Sequence, residues 1–202
     1  MYNKPIVFDE VKYEGNIPQR WGDLSAEEMV HRFWQGTIAG TYVGHGETFK
    51  HPQDIIWWAR GGKLYGQSLP RIAFLKQLLD ESPPEGIDPI DKWQDVHTAG
   101  QPGSYYLVYF GREKPTEWLF ELPRAGLSDG MQFRAEILDT WNMTILAVEG
   151  VFKIVTDGTY RYHAEGLPQI KLPGNPYMAI RIRRVEGDAA VFREERRIYG
   201  ES

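Results

Sequence analysis

The sequence predicts two architectures in succession. Residues 1–85 read as an α/β segment of order β-α-β-α, and residues 86–202 as an all-β antiparallel sandwich. Three observations predict this. Two apolar, β-compatible runs flank an amphipathic helical pattern that opens on a capping box. The stretch Ser82-Pro83-Pro84-Glu85-Gly86-Ile87-Asp88-Pro89 breaks every periodic pattern and sets the boundary. Beyond it come short runs separated by turn residues.

Pro5-Ile6-Val7-Phe8 is a continuous apolar run, the pattern of a strand buried on both faces. It leads into Asp9-Glu10, two carboxylates where such a strand meets solvent. Ser25-Ala26-Glu27-Glu28 is the capping box: Ser25 caps the helix and Glu28 reaches back. The helix runs to about residue 35, with Met29, Val30, Phe33 and Trp34 on one face. Residues 37–43 form the next strand. Residues 5–43 are therefore a β-α-β unit, which implies a parallel pair with a right-handed crossover. A second helix spans residues 70–81, with Pro70 in its first turn and Ile72, Phe74, Leu75, Leu78 and Leu79 on its apolar face.

The later strands are predicted at residues 104–111, 116–122, 133–140, 143–148, 151–156, 160–165, 169–172 and 177–184. Asp157-Gly158 is a hairpin turn signal. Residues 179–183 alternate, and Arg181, Arg183 and Arg184 read as one solvated face. Trp118 and Trp141 read as packing residues. The tail from residue 186 is charged and gives no structural signal.

Composition narrows the function. Net charge is −5 with both signs interspersed, which argues against a nucleic-acid groove or a polybasic membrane surface. There is no cysteine, so disulfides and thiolate metal sites are excluded. The five histidines are scattered without metalloprotease spacing. No run approaches a membrane span, and residues 1–20 lack a signal peptide's apolar core. A cytoplasmic location is expected, and no internal repeat is found.

The chemistry concentrates in residues 36–62, GTIAGTYVGHGETFKHPQDIIWWARGG. A strand opens into a loop carrying His45 and Glu47, followed by Trp57-Trp58 and Arg60. Adjacent tryptophans beside hydrogen-bonding groups suit sugars, whose C–H faces lie on aromatic rings. Neighbours in an extended segment point opposite ways, so one Trp is expected to be buried and one at most to line a cleft. His45 either orients Glu10, binds a sugar hydroxyl, or is a loop histidine satisfied by carbonyls. Glu47 is either a sugar ligand or the partner of Arg60. Tyr13 either bonds Glu10 or packs. Glu10 itself, on spacing alone, is a solvated strand-end carboxylate.

KPIVFDEVKYEG, GTYVGHGETF, WWARGGKLYGQSLPRIAFL, DTWNMT and LPGNPYMAIRIRR occur in this order. Over nearly the whole chain up to about residue 185 they resemble the C-terminal part of a bacterial glycoside hydrolase family. The resemblance implies an incomplete (β/α)8 barrel, its last two βα units, followed by the β-sandwich. It implies that Glu10 holds the catalytic nucleophile position of retaining glycosidases. It also implies that His45, Glu47, Trp57 and Trp58 line the sugar subsite, and Tyr13 is a further candidate there. Retaining hydrolysis needs two carboxyl groups about 5 Å apart. Asp9, Glu14 and Glu47 do not match the family's acid/base position.

The expected function is the C-terminal fragment of a retaining glycoside hydrolase acting on O-glycosidic bonds and inactive as an isolated chain. The alternative is a non-catalytic carbohydrate-binding or structural accessory module. No cofactor and no metal is implied. The expected partner is a carbohydrate, with neither nucleic acid nor membrane. A homo-oligomer is also expected, through the open strand at residues 5–10 and the helix at residues 25–35.

Overall fold

A computed structural model describes residues 4–50, 63–91, 95–156 and 161–185. In chain order these form β1 (Val7–Phe8), β2 (Glu14–Gly15), α1 (Ala26–Ile38), β3 (Tyr42–Val43), β4 (Glu47–Thr48), α2 (Ser68–Asp80), β5 (Asp88–Pro89), β6 (Thr98–Gln101) and β7 (Tyr105–Tyr109). There follow β8 (Glu117–Leu119), β9 (Glu121–Pro123), β10 (Gln132–Asp139), β11 (Thr144–Ala147), β12 (Phe152–Thr156), β13 (Arg161–Ala164), β14 (Gln169–Lys171) and β15 (Met178–Arg184).

The body of the protein is one nine-stranded sheet in the order β5-β6-β7-β15-β10-β12-β13-β9, with β11 also on β10. Its strand pairs are antiparallel. β10 divides one of its edges: Gln132 and Phe133 pair with β12, while the stretch from Glu136 to Asp139 pairs with β11. The division lets the sheet curl into a half-barrel. Tyr106, Phe133 and Ile180 from its middle thereby join Leu122, Ile154 and Tyr162 from its far edge in one core. The separate β8–β14 pair adds Ile170 to the same core, and Phe120, between β8 and β9, joins it.

The opposite face of the sheet carries the helices. Alternation along β7 sends Tyr106 and Val108 inward and Tyr105, Leu107 and Tyr109 toward α1 and α2. There they meet Val30, Trp34, Ile38, Phe74, Leu75 and Leu78. Trp34 is fully buried and stacks on Tyr109 at 5.1 Å. Such a stacked pair adds about 0.5–1.5 kcal/mol beyond the area it buries. Trp34, on the helix expected to meet another copy, is spent inside the protein.

This architecture corrects the expected fold class. Among the described residues there is no α/β barrel fragment. β1 and β3 do pair in parallel around α1, but over two residues each, and β2–β4 is another two-residue parallel pair in a separate sheet. The reason lies at residues 36–40. Gly36, Thr37 and Ile38 belong to α1, and Gly40 ends it with a left-handed φ of +72°. Only Tyr42 and Val43 remain for a strand. The two-sheet sandwich is likewise replaced by one curled sheet. β1 is exposed rather than buried on both faces, with Ile6 at 58%, Val7 at 59% and Phe8 at 49%.

The arginine row also differs from expectation. Arg181 is buried on the helix side, with Nε 2.6 Å from Glu136 and Nη1 2.5 Å from Glu81. Trp141 packs beside the helix-side core and receives the Arg71 guanidinium at 3.7 Å above its ring. The Asp157-Gly158 turn lies outside the described residues, between the antiparallel strands β12 and β13. Among the described residues no helix is long and apolar enough to cross a membrane.

Candidate functional site

The β2–β4 ribbon carries the site on its two sides. Beyond β1 the chain turns at Lys12, whose φ of +71° is rare for a side-chain-bearing residue. The turn folds Tyr13 back so that its hydroxyl donates to Glu10 Oε1 at 2.8 Å. The Tyr13 ring is held from two directions. Trp21, partly exposed, meets it edge to face at 5.8 Å and 85°. Gly46 lies so close beneath that a Cβ there would sit 2.2 Å from Tyr13 Cδ1. Glycine at this position is a requirement of space. The Tyr13 phenol pKa is raised, first by the bond to Glu10, then by burial and by the charges of Glu10 and Asp9. Glu10 is exposed, as a carboxylate meant to reach a ligand would be.

The other side of the ribbon is buried. The parallel register sets Glu14 beside Glu47, and both are sealed, at 2% and 1% exposure. Their oxygens take the amides of the turn into α2. Glu47 Oε2 accepts from Tyr65 at 2.8 Å and Gly66 at 2.9 Å. Glu14 accepts from Gln67 at 2.7 Å, from the Ser68 amide at 3.2 Å and from the Ser68 hydroxyl at 2.5 Å. The local cap residue Gln67 makes no side-chain capping bond. Glu14 therefore caps α2 from a distant part of the chain, where a carboxylate also favours the positive helix end. Gly66 makes the approach possible: a Cβ there would lie 2.4 Å from Glu14 Oε2 and 2.6 Å from Glu47 Oε1.

His45 closes this inner cluster. Its Nε2 lies 3.0 Å from Ser68 Oγ and 3.8 Å from Glu47 Oε1. Ser68 has one proton, which goes to Glu14, so His45 Nε2 is the donor to Ser68. Burial lowers the His45 pKa, opposed by the charges of Glu47 and Glu14, and the neutral ring is the form the cluster holds.

Of the residues singled out in the sequence, Glu10 and Tyr13 are in direct contact. His45 and Glu47 are brought together, but on the inner side, with Glu14 and Ser68. Glu47 is bound by backbone amides of residues 65 and 66. Trp57, Trp58 and Arg60 lie outside the described residues. Sequence reading gave no role to Ser68 or Gly66. The signal for Ser68 was its place two residues before Pro70, at a helix start.

Residues 93–183 match the model of a domain of unknown function, DUF5605. No curated protein matches the chain. Among solved structures, the chain is similar to a protein of Bacteroides vulgatus ATCC 8482 described as a putative glycoside hydrolase, with 34% identity and a TM-score of 0.85. That similarity covers 90% of this chain and 36% of the other, so the chain spans little more than a third of its relative. A second structure, named glycoside hydrolase, shares the fold at a TM-score of 0.56 and 15% identity, over 92% of this chain and 43% of that one. Over most of its length the chain thus resembles that Bacteroides vulgatus protein in sequence and fold.

Proposed function

We propose that the chain carries the nucleophile side of a retaining glycoside hydrolase site acting on O-glycosidic bonds. The observation that supports this most is the exposed Glu10 carboxylate held by Tyr13 at 2.8 Å. A nucleophile must be oriented without being buried, and a phenol that donates one hydrogen bond does this. In the proposed reaction Glu10 attacks the anomeric carbon as the glycosidic C–O bond breaks. The leaving oxygen takes a proton from a second carboxyl group. Water then attacks the glycosyl ester, gives its proton to that second group, and frees Glu10.

The second carboxyl is proposed to come from outside this chain. Glu14 and Glu47 are sealed, and each is committed to backbone amides. Neither can protonate a leaving group. Trp21, at the edge of Tyr13 and 41% exposed, offers the ring face for the sugar.

Tryptophan fluorescence during titration with a panel of monosaccharides and short oligosaccharides, run beside an aryl-glycoside assay, tests the reading. Saturable quenching that Glu10→Gln weakens, with no hydrolysis above buffer, is expected. Absence of binding to every sugar contradicts it. Turnover abolished by Glu10→Gln would mean that the chain contains its own acid.

A further inference from the structure

The inner cluster has a feature that capping does not explain. Oε1 of Glu47 is buried and has no hydrogen-bond partner, although its sister oxygen has two. Buried carboxylate oxygens are ordinarily satisfied, because leaving one bare forfeits its hydration. This oxygen faces the same space as His45 Nε2, 3.8 Å away, and a Glu14 oxygen. The three donor atoms lie within 4.8 Å of one another. No lysine or arginine among the described residues forms an ion pair with either glutamate. The amino end of α2 supplies about half an elementary positive charge, against two carboxylates.

We propose that Glu14, His45 and Glu47, with the Ser68 hydroxyl beside them, bind one divalent transition-metal ion. An ion about 2.0–2.2 Å from each ligand places facing donors up to ~4.4 Å apart. A tetrahedral set would bring donors to ~3.4 Å, so His45 Nε2 and Glu47 Oε1, now 3.8 Å apart, need to close by a few tenths of an ångström, and the widest pair, within 4.8 Å, by about 1 Å or more. Ser68 Oγ, 3.0 Å from His45 Nε2 and 2.5 Å from Glu14, is a fourth donor at the same point. One imidazole with carboxylate and hydroxyl oxygens, and no sulfur, suits zinc, cobalt or manganese rather than calcium, which takes six to eight oxygens. On binding, the neutral ring carries its one proton on Nδ1 instead of Nε2, and Glu47 Oε1 gains its missing partner. Entry is from the His45 side, whose side chain is 17% exposed.

Calorimetric titration of the 202-residue chain with zinc chloride at neutral pH, after chelator treatment, is the direct test. One equivalent of zinc should bind, and the melting temperature should rise with zinc but not with calcium. His45→Gln and Glu47→Gln should each weaken binding at least tenfold. Cobalt should give visible ligand-field bands in the wild type that His45→Gln removes. Circular dichroism checks the fold of both variants. Should Glu47→Gln unfold, His45→Gln decides, because the one hydrogen bond His45 makes there is to Ser68. No zinc binding by the wild type, or binding and cobalt bands unchanged in a folded His45→Gln, overturns the proposal.

Discussion

The Tyr13 hydroxyl and Glu10 Oε1 lie 2.8 Å apart, joined by a turn through the left-handed Lys12. The bond links two parts of the proposed chemistry, a carboxylate that attacks and a phenol that aims it. The donated proton stays on Tyr13 because the bond to Glu10, then burial and the nearby negative charges, raise its pKa. Glu10→Gln should therefore move the Tyr13 pKa down toward its ordinary value of 10. NMR of ring-labelled tyrosine across alkaline pH checks this, and an unchanged Tyr13 titration would mean that the bond is not formed in solution.

Gly66 separates two carboxylates that a methyl group would push apart. Gly66→Ala places a Cβ within 2.6 Å of both Glu14 and Glu47, where neither can yield without losing backbone amides. Overpacking of this kind costs about 1–3 kcal/mol. Denaturant unfolding should show that loss, and a variant as stable as the wild type would show that the cluster is loosely held.

His31 makes stability depend on pH. It is buried on α1, with Nδ1 2.9 Å from the Tyr109 hydroxyl and the ring facing Tyr177. Burial lowers its pKa below 6.5; Glu28 opposes this, while Arg112 and Arg32 add to it. Within that window the unfolded chain binds the proton more readily than the folded one. The contribution of neutral His31 is thus complete above 6.5 and is lost as pH falls toward the folded value. Melting temperatures at about pH 7.5 and about pH 5.5, on either side of the ordinary histidine value, should differ more in the wild type than in His31→Gln. Equal differences would contradict the assignment.

The β1–β3 pair leaves Ile6, Val7, Phe8 and Tyr42 in water, at 58%, 59%, 49% and 67% exposure. Unpaired apolar edges of this kind recruit other chains. We expect self-association in light scattering at micromolar concentration, reduced by Ile6→Lys. A monomeric mass at every concentration would show that this edge tolerates solvent.

Local signals in the sequence were legible, and long-range ones were not. Half of the capping box placed α1: Ser25 accepts from Glu28 N at 3.2 Å, while the Glu28 carboxylate turns to Arg32 and Arg112 instead of reaching back. Alternation over Met178–Arg184 gave β15 its inward side chains. β6 escaped because Thr98-Ala99-Gly100-Gln101 carries no β-branched or aromatic run; its place comes from pairing with β7. The one predicted strand at residues 116–122 divides into β8 and β9, which serve different sheets. The barrel expectation failed because a two-residue parallel pair and a long parallel strand look alike when only the apolar run is read. Glu14 and Glu47 were visible as carboxylates, yet their burial depends on amides at residues 65–68, which no local pattern reveals.

The central claim is that Glu10 is the carboxylate presented to a sugar. Affinity labelling with a panel of N-bromoacetyl glycosylamines tests it most directly, because alkylation needs no general acid from elsewhere. Peptide mapping should find an ester on Glu10, suppressed by the matching free sugar and absent in Glu10→Gln, while Glu14 and Glu47 stay unmodified. Labelling that ignores free sugar, or that falls on other carboxylates with Glu10 untouched, would contradict the account.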